Sequence, residues 1–256
     1  MKHNFTTYTF ITVFALSGII FWETGFAWLV LTLIAVVYFG LVSYGAFNIG
    51  SNYFLKSVNK GERRAIALTF DDGPDPVTTP DILATLKRHD VRAAFFVIGK
   101  KAAAYPHLVR QIDEDGHIIA NHSYSHSYWI GFFSKDRLQS DLAKCRDVVY
   151  QTIGKKPVYF RPPFGVTNPR YAAVMEELGL QSVGWSLRSL DTRASNKYQL
   201  ISRILSRLKK KDIVLLHDTL KVTAESLEDI ILHCQQKGIR IESLPRLIRK
   251  EAYEQD

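Results

Sequence analysis

The chain divides near residue 55 into two stretches with different patterns of apolar and polar positions. No residue from Asn4 to Trp22 is charged, Glu23 stands alone, and Thr24 to Leu55 again carries no charge. Phe26 to Val42 is almost wholly apolar. A helix rises about 1.5 Å per residue, so about 20 residues cross a hydrocarbon layer of about 30 Å. The second run exceeds that length, and the first just reaches it while carrying several Thr. The pattern predicts a membrane anchor in residues 1–55, made of one or two N-terminal transmembrane helices. The preferred form is a two-helix hairpin turning at Glu23-Thr24-Gly25, with Trp22, Trp28, Tyr44 and Tyr53 at interface depth. The alternative is one span plus an interfacial segment. A cleaved signal peptide fits poorly, because the second run would remain and no small-x-small site precedes it. A buried soluble helix also fits that run poorly, since it has no polar face. A hairpin returns both ends to one side. Lys2 with Lys56, Lys60, Arg63 and Arg64 would make that side the cytoplasm, whereas a single span could export the C-terminal part of the chain. The sequence leaves the side of the membrane open.

Residues 56–64 read as a polar linker, and the pattern then alternates through residues 65–256. Strand-like apolar runs are expected at Ile66–Phe70, Ala93–Val97, His117–Ala120, Val158–Phe160, Ser182–Leu187, Ile213–Leu216 and Ile239–Ile241. Helices are expected at Thr79–His89, Lys101–Asp115, Ser134–Thr152, Asn168–Leu178, Lys197–Lys209, Thr223–Lys237 and Leu244–Lys250. Pro80 lies in a first turn, Ser134 is a plausible N-cap, and Gly116, Gly154, Gly179 and Gly238 close helices. Seven strand–helix units imply parallel pairing in one α/β layer or barrel.

Composition narrows this picture. Of 256 residues, 46% are hydrophobic, enough for a core and against disorder. Two cysteines, Cys145 and Cys234, exclude a disulfide scaffold and a four-cysteine zinc site. Whether they pair is not legible. The net charge of +8 suits an anionic partner or a merely soluble basic surface. The basic runs Lys155-Lys156 and Lys209–Lys211 lack interleaved aromatics and any nucleic-acid module, so no nucleic-acid partner is expected. No protein partner is implied either.

The candidate chemistry sits at strand ends. Asp71 and Asp72 are adjacent carboxylates that close the first strand. His122 and His126 have the i, i+4 spacing that puts two imidazoles on one face of a helical turn. One Asp with two His makes a three-ligand site with an open position, the pattern of a catalytic metal. Arg161, in Arg161-Pro162-Pro163-Phe164-Gly165, can fork onto a carboxylate. Asp191 follows the fifth strand, and the apolar run Ile213–Leu216 delivers His217, a residue able to act as acid or base near neutral pH. Taken singly, each has an ordinary reading as a turn, surface loop or structural histidine. Together they all fall at or just after strand C-termini, which converge on one rim in a parallel barrel.

In that order TFDDGP, HSYSH, RPPFG, WSLRSLD and IVLLHD resemble the five motifs of the polysaccharide deacetylase family, also called the NodB homology domain or carbohydrate esterase family four. The similarity runs from about Ile66 to Ile241. It implies an α/β fold, a distorted (β/α)7 barrel, over residues 65–256. It implies removal of N-acetyl groups from an amino-sugar polysaccharide, oligosaccharide or lipid-linked saccharide, with O-acetyl esterase action or a non-catalytic glycan-binding role as alternatives. Through it Asp71 matches the general base, and Asp72, His122 and His126 match ligands of one divalent metal. Zinc is the first choice for that metal, with cobalt, nickel or manganese possible. Arg161 matches the residue holding the base, His217 the general acid, Asp191 the carboxylate tuning it, Leu215 a pocket-lining residue and Phe164 the oxyanion-binding amide. The fourth motif departs from the family pattern, with Arg188 and Thr192 where an Asp and a Trp are common. The partners implied are an N-acetylated glycan substrate and the lipid bilayer.

Overall fold

A computed structural model of the protein describes residues 2–255. Two helices come first, α1 (Lys2–Phe21) and α2 (Ala27–Phe47). Both are long and apolar enough to cross a membrane, and almost none of their surface is buried within the protein. They turn between Phe21 and Ala27, at the position the charge pattern marks, and pack side by side. Phe10 stacks on Tyr38 with ring centroids 4.0 Å apart, and the Thr7 and Tyr38 hydroxyls share a hydrogen bond of 3.0 Å. Lys2 Nζ donates to the Ser51 carbonyl, which brings the two ends of the hairpin together.

The remaining chain builds one parallel sheet. Its strands are β1 (Ser57–Val58), β2 (Ala67–Asp71), β3 (Ala94–Val97), β4 (Ile118–Asn121), β5 (Tyr159–Phe160), β6 (Gln181–Val183), β7 (Leu187–Arg188) and β8 (Ile213–His217). Their spatial order is β1-β6-β5-β4-β3-β2-β8-β7, and every pair is parallel. The expected distorted barrel is thus a curled, eight-stranded half-barrel whose edge strands β1 and β7 are not paired with each other. Helices α3 (Thr78–Arg88), α4 (Gly99–Ala104), α5 (Pro106–Glu114), α6 (Lys135–Ile153), α7 (Pro169–Glu177), α8 (Lys197–Leu205), α9 (Lys221–Gln236) and α10 (Leu244–Ile248) complete the fold.

Several boundaries differ from expectation for local reasons. The helix expected at Lys101–Asp115 is two helices, broken at Tyr105 because the following Pro106 disfavours helical geometry there. The strand expected at Ser182–Leu187 is split into β6 and β7 around Gly184-Trp185-Ser186. Ile239–Ile241 contributes only a single bridge, Ile66 to Ile241. Ser57 and Val58, inside the expected linker, pair with Ser182 and Val183, a strand too short to show any periodicity. The predicted caps are present: Ser134 Oγ accepts from the Arg137 amide, and Gly154 takes φ 71° at the end of α6.

The alternation of β2 and β8 explains how the interior holds polar groups. Ile66, Leu68, Phe70, Val214 and Leu216 join the large core beneath the helices, where Phe70 stacks on Phe95 at 5.1 Å. Successive side chains point to opposite faces. Ala67, Thr69 and Asp71 therefore share the inner face of β2, and Ile213, Leu215 and His217 that of β8. Small inner residues (Ala65, Ala67, Ala94, Ala120) line the curl, and space remains for Phe96 and for Arg161. Cys145 and Cys234 are both buried free thiols, on α6 and α9.

Candidate active site

The strand C-termini bring the predicted residues to one rim. β2 pairs with β8 so that Asp71 lies opposite His217. β4 ends at Asn121, so His122 follows directly, and Arg161 follows β5. Asp72 comes next after Asp71 in a left-handed conformation with φ 74°, which turns its carboxylate away from that of Asp71. The adjacent carboxylates thus acquire different neighbours.

Asp72 Oδ1 lies 3.4 Å from His122 Nε2 and 3.1 Å from His126 Nε2. Their candidate donor atoms all lie within 4.8 Å of one another. The His122–His126 pair is not on a helical turn as its spacing suggests. Both belong to an irregular loop with Ser123 at φ 67° and His126 at φ 46°. Side chains hold that loop in shape. Asn121 Oδ1 accepts from the Ser123 amide, Asp141 Oδ1 accepts from the Tyr124 and Ser125 amides, and Ser123 Oγ accepts from the His126 amide. His122 Nδ1 lies 2.8 Å from the Arg161 carbonyl, which fixes the ring and leaves Nε2 directed toward Asp72. Burial pushes the Asp72 carboxyl up, but hydrogen bonds and charge from His122 and His126 outweigh it and hold it far below the usual carboxylate range.

Asp71 is 3% exposed and belongs to a different network. Its Oδ1 accepts from Arg161 Nη1 at 2.6 Å, and its Oδ2 faces His122 Nε2 at 3.9 Å. Arg161 is fully buried, and each of its three nitrogens donates. Nε donates to the Val183 carbonyl, Nη1 also to Thr69 Oγ1, and Nη2 to the Gly184 carbonyl. Burial lowers the Arg161 pKa, while the charge of Asp71 opposes the shift. Phe96 covers one face of the guanidinium at 3.9 Å.

Across the rim, His217 Nδ1 lies 2.8 Å from Asp191 Oδ1, which leaves Nε2 facing Asp72 Oδ2 at 4.0 Å. Asp191 also accepts from the Thr192 and His217 amides and from Thr223 Oγ1. Burial works to lower the His217 pKa, but Asp191 outweighs it and the ring is pushed up to about 9. Leu215, on the same face two residues earlier, is buried. Phe164 holds a left-handed backbone (φ 61°) and packs its half-exposed ring 4.7 Å from His126 and 5.4 Å from Tyr128. All nine predicted site residues therefore lie on or immediately around this rim.

Other residues of the rim are not legible in the pattern. Thr69 and the carbonyls of Val183 and Gly184 fix Arg161. Trp185 packs against Gly165, where any side chain would collide with its ring. Asp218, next to His217, ties the loops together. Its amide donates to the Asp71 carbonyl, its carbonyl accepts from Thr78 Oγ1, and its Oδ2 accepts from Thr79 Oγ1. Burial pushes the Asp218 carboxyl up to about 7. The only advance signal for it was its place after His217.

The donor set fits a divalent cation. Bonds of about 2.0–2.2 Å to a tetrahedral metal space ligand atoms by roughly 3.4 Å, close to the two separations from Asp72 Oδ1 to the imidazole nitrogens. The remaining geometry is that of hydrolysis: a buried carboxylate with one free oxygen, and a histidine whose Nε2 faces the same space.

Comparison with known proteins finds carbohydrate deacetylases similar to this chain. The family model for polysaccharide deacetylase matches residues 58–183. A peptidoglycan-N-acetylglucosamine deacetylase of Bacillus cereus is 32% identical over 195 residues, covering 75% of this chain and 70% of that one. A peptidoglycan-N-acetylglucosamine deacetylase of Listeria monocytogenes is 33% identical over 208 residues, 79% of this chain, but the chain spans only 44% of that longer protein. Among solved structures, a peptidoglycan N-acetylglucosamine deacetylase in complex with 4-naphthalen-1-yl-N-oxidanyl-benzamide superposes with a TM-score of 0.74 at 29% identity, covering 77% of this chain and 95% of that one.

Proposed function

The chain belongs to the polysaccharide deacetylase family and is a carbohydrate deacetylase, and from that premise we propose that it is a metal-dependent amidase acting on N-acetylated amino-sugar glycans of the peptidoglycan type, tethered to the bilayer by α1 and α2. The observation that carries this reading is the convergence of Asp72, His122 and His126 beside a separate carboxylate, Asp71, and a separate histidine, His217. Residues 1–55 form the anchor and 65–256 the deacetylase domain in this reading.

Asp72, His122 and His126 would hold the ion. When bound, a divalent metal supplies Lewis-acid polarisation of the acetyl carbonyl and makes water acidic enough to attack near neutral pH. Asp71 accepts the proton of the attacking water on Oδ2, the oxygen that Arg161 leaves free. Arg161 holds Asp71 in place through Oδ1, so the base is oriented without rearrangement. The Phe164 amide donates to the developing oxyanion. His217, held protonated by Asp191, delivers a proton from Nε2 to the leaving amine, which is otherwise too basic to depart. Leu215 walls the acetyl pocket. Asp191 acts through His217.

The test is acetate release by the full chain in detergent, on chitooligosaccharides, peptidoglycan fragments and an O-acetylated xylan. Chelation is expected to abolish turnover and added zinc, cobalt, nickel or manganese to restore it, with amides preferred over esters. Turnover that survives exhaustive chelation would sink the metal role. Turnover of the xylan ester alone would make the protein an esterase.

A further inference from the structure

The loop after the second histidine exposes three large aromatic side chains that the core does not use. Tyr128, Trp129 and Phe132 are 86%, 70% and 79% exposed. Their neighbours Ile130 and Phe133 are buried in a cluster with Leu55, so the loop is pinned and the aromatic side chains are held outward by a fixed backbone. Apolar side chains grouped this way on a surface mark a contact with something apolar.

The location identifies that something. The carbonyl of Gly131 accepts from Asn168 Nδ2. One residue earlier, the Thr167 amide donates to the Ala46 carbonyl and Thr167 Oγ1 to the Gly45 carbonyl, both in the last turn of α2. The loop is therefore bonded, through Asn168 and Thr167, to the end of a membrane-length helix. Tyr44 and Phe47 are exposed at the same helix end. Aromatic side chains at this depth form the belt found at bilayer interfaces, and exposed Lys56, Arg137 and Arg170 nearby in the chain suit phospholipid phosphates. Toward the site, Tyr128 stacks on Phe164, which in turn packs on His126. A continuous path of contacts thus runs from the helix end through the aromatic loop to the candidate metal ligands.

We propose that Tyr128, Trp129 and Phe132 insert into the headgroup region of the same bilayer that α1 and α2 cross, seating the mouth of the site on the membrane so that it takes amino sugars carried on a lipid. This rests on the deacetylase reading for its chemistry and on the anchor for its membrane. The hairpin holds the domain at the end of α2 through Thr167. The aromatic loop adds a second attachment beside the mouth, and a sugar within a few ångströms of the lipid surface enters without leaving its carrier.

The experiment uses the full chain in phosphatidylcholine–phosphatidylglycerol vesicles. A fluorophore is placed on Phe132→Cys, and on Tyr198→Cys as an exposed aromatic position on α8; Cys145 and Cys234 are buried and do not label. Nitroxide lipids are expected to quench position 132 at least about twofold more than position 198. Equal quenching at the two overturns the proposal. In parallel, the double variant Trp129→Ser/Phe132→Ser is assayed on a polyprenyl-diphosphate-linked N-acetylglucosamine in the vesicle and on chitotetraose in solution. Turnover of the lipid-linked sugar is expected to fall about tenfold with chitotetraose unchanged. Equal losses on both substrates would make the aromatics a sugar-stacking platform, and no loss on either would make them idle; each result overturns membrane seating. Vesicle flotation and wild-type chitotetraose turnover read the anchor and the deacetylase chemistry separately, and quenching requires no activity.

Discussion

The two sides of the rim use the same residue types for opposite ends. On the β2–β4 side, Asp72 meets two imidazole nitrogens in loops held at positive φ, and those nitrogens converge on one space. On the β7–β8 side, Asp191 meets one imidazole and three further donors, which occupy both its oxygens. A carboxylate saturated by protein donors has no lone pair left for an ion and can only tune its histidine. A carboxylate that faces two ring nitrogens across one open space keeps lone pairs available for a cation. The lesson is that partner count, more than residue identity, separates a ligand from a tuning group.

The largest expected effect comes from breaking the first side. Asp72→Ala should lower acetate release at least about 10³-fold, since the polarising cation supplies several kcal/mol. It should also lower the metal retained after gel filtration, while the fold persists because the Asp71–Arg161 pair is untouched. Stoichiometric metal in an inactive variant would mean that Asp72 works in the chemistry and not as a ligand.

Breaking the second side should act through pH. The His217 ring stands at about 9 because Asp191 outweighs a burial that alone would lower it. A histidine raised in this way is protonated below its ordinary pKa of about 6.5 and stays so until pH passes about 9, where both its stabilising pair and its acid function are lost. In Asp191→Asn burial loses its main counterweight, and only the weaker pull of Asp71 and Asp72 remains. The alkaline limb of the kcat profile should move down by two units or more, and turnover at pH 7.5 should fall about 10²–10³-fold. Metal content should stay intact, which separates this variant from Asp72→Ala.

Asp218 is the control for both sides, a carboxylate with too few donors. Only Thr79 Oγ1 reaches its Oδ2, and its Oδ1 has no partner among the described residues. Its carboxyl is pushed up to about 7, so the folded state binds a proton more tightly than the unfolded chain. The stability of the neutral form is fully present below about pH 4 and is lost as pH rises toward 7. Asp218→Asn removes that dependence. Thermal unfolding of the full chain should show the variant gaining on the parent between pH 5 and pH 8, by on the order of 2–4 kcal/mol. A difference that is flat in pH would show that Asp218 is already ionised in the fold.

Which of these features the sequence discloses depends on their range. Apolar runs disclosed β2, β3, β4 and β8, because burial on both faces leaves a long signal. They missed β1, whose two residues are placed by pairing with β6. They joined β6 to β7, because Trp185 is apolar yet turns the chain. The candidate site residues were legible as a group through their order and their positions at strand ends. The shape of the His122–His126 loop was not, since Asn121 and Asp141 set it through side-chain hydrogen bonds that no period records. The starved condition of Asp218 was equally hidden, for it depends on what surrounds it across three loops.

The smallest effect separates two ways in which Asp191 can act on His217. Thr223 Oγ1 donates to Asp191 Oδ2 at 2.9 Å, on the oxygen that also takes the His217 amide. Thr223→Val keeps the shape and removes that donor, at a stability cost of about 1 kcal/mol. If Asp191 acts through its basicity, losing a competing donor makes it a stronger acceptor for His217 Nδ1. The ring pKa then rises and the alkaline limb shifts upward by a few tenths of a unit, opposite to Asp191→Asn, while kcat falls about twofold because a more basic histidine is a poorer acid. If Asp191 acts by holding the ring in place, losing Thr223 loosens it. The limb then moves downward and kcat falls further, with KM unchanged. A saturated Asp191 requires the upward shift, because each of its donors competes for the same charge.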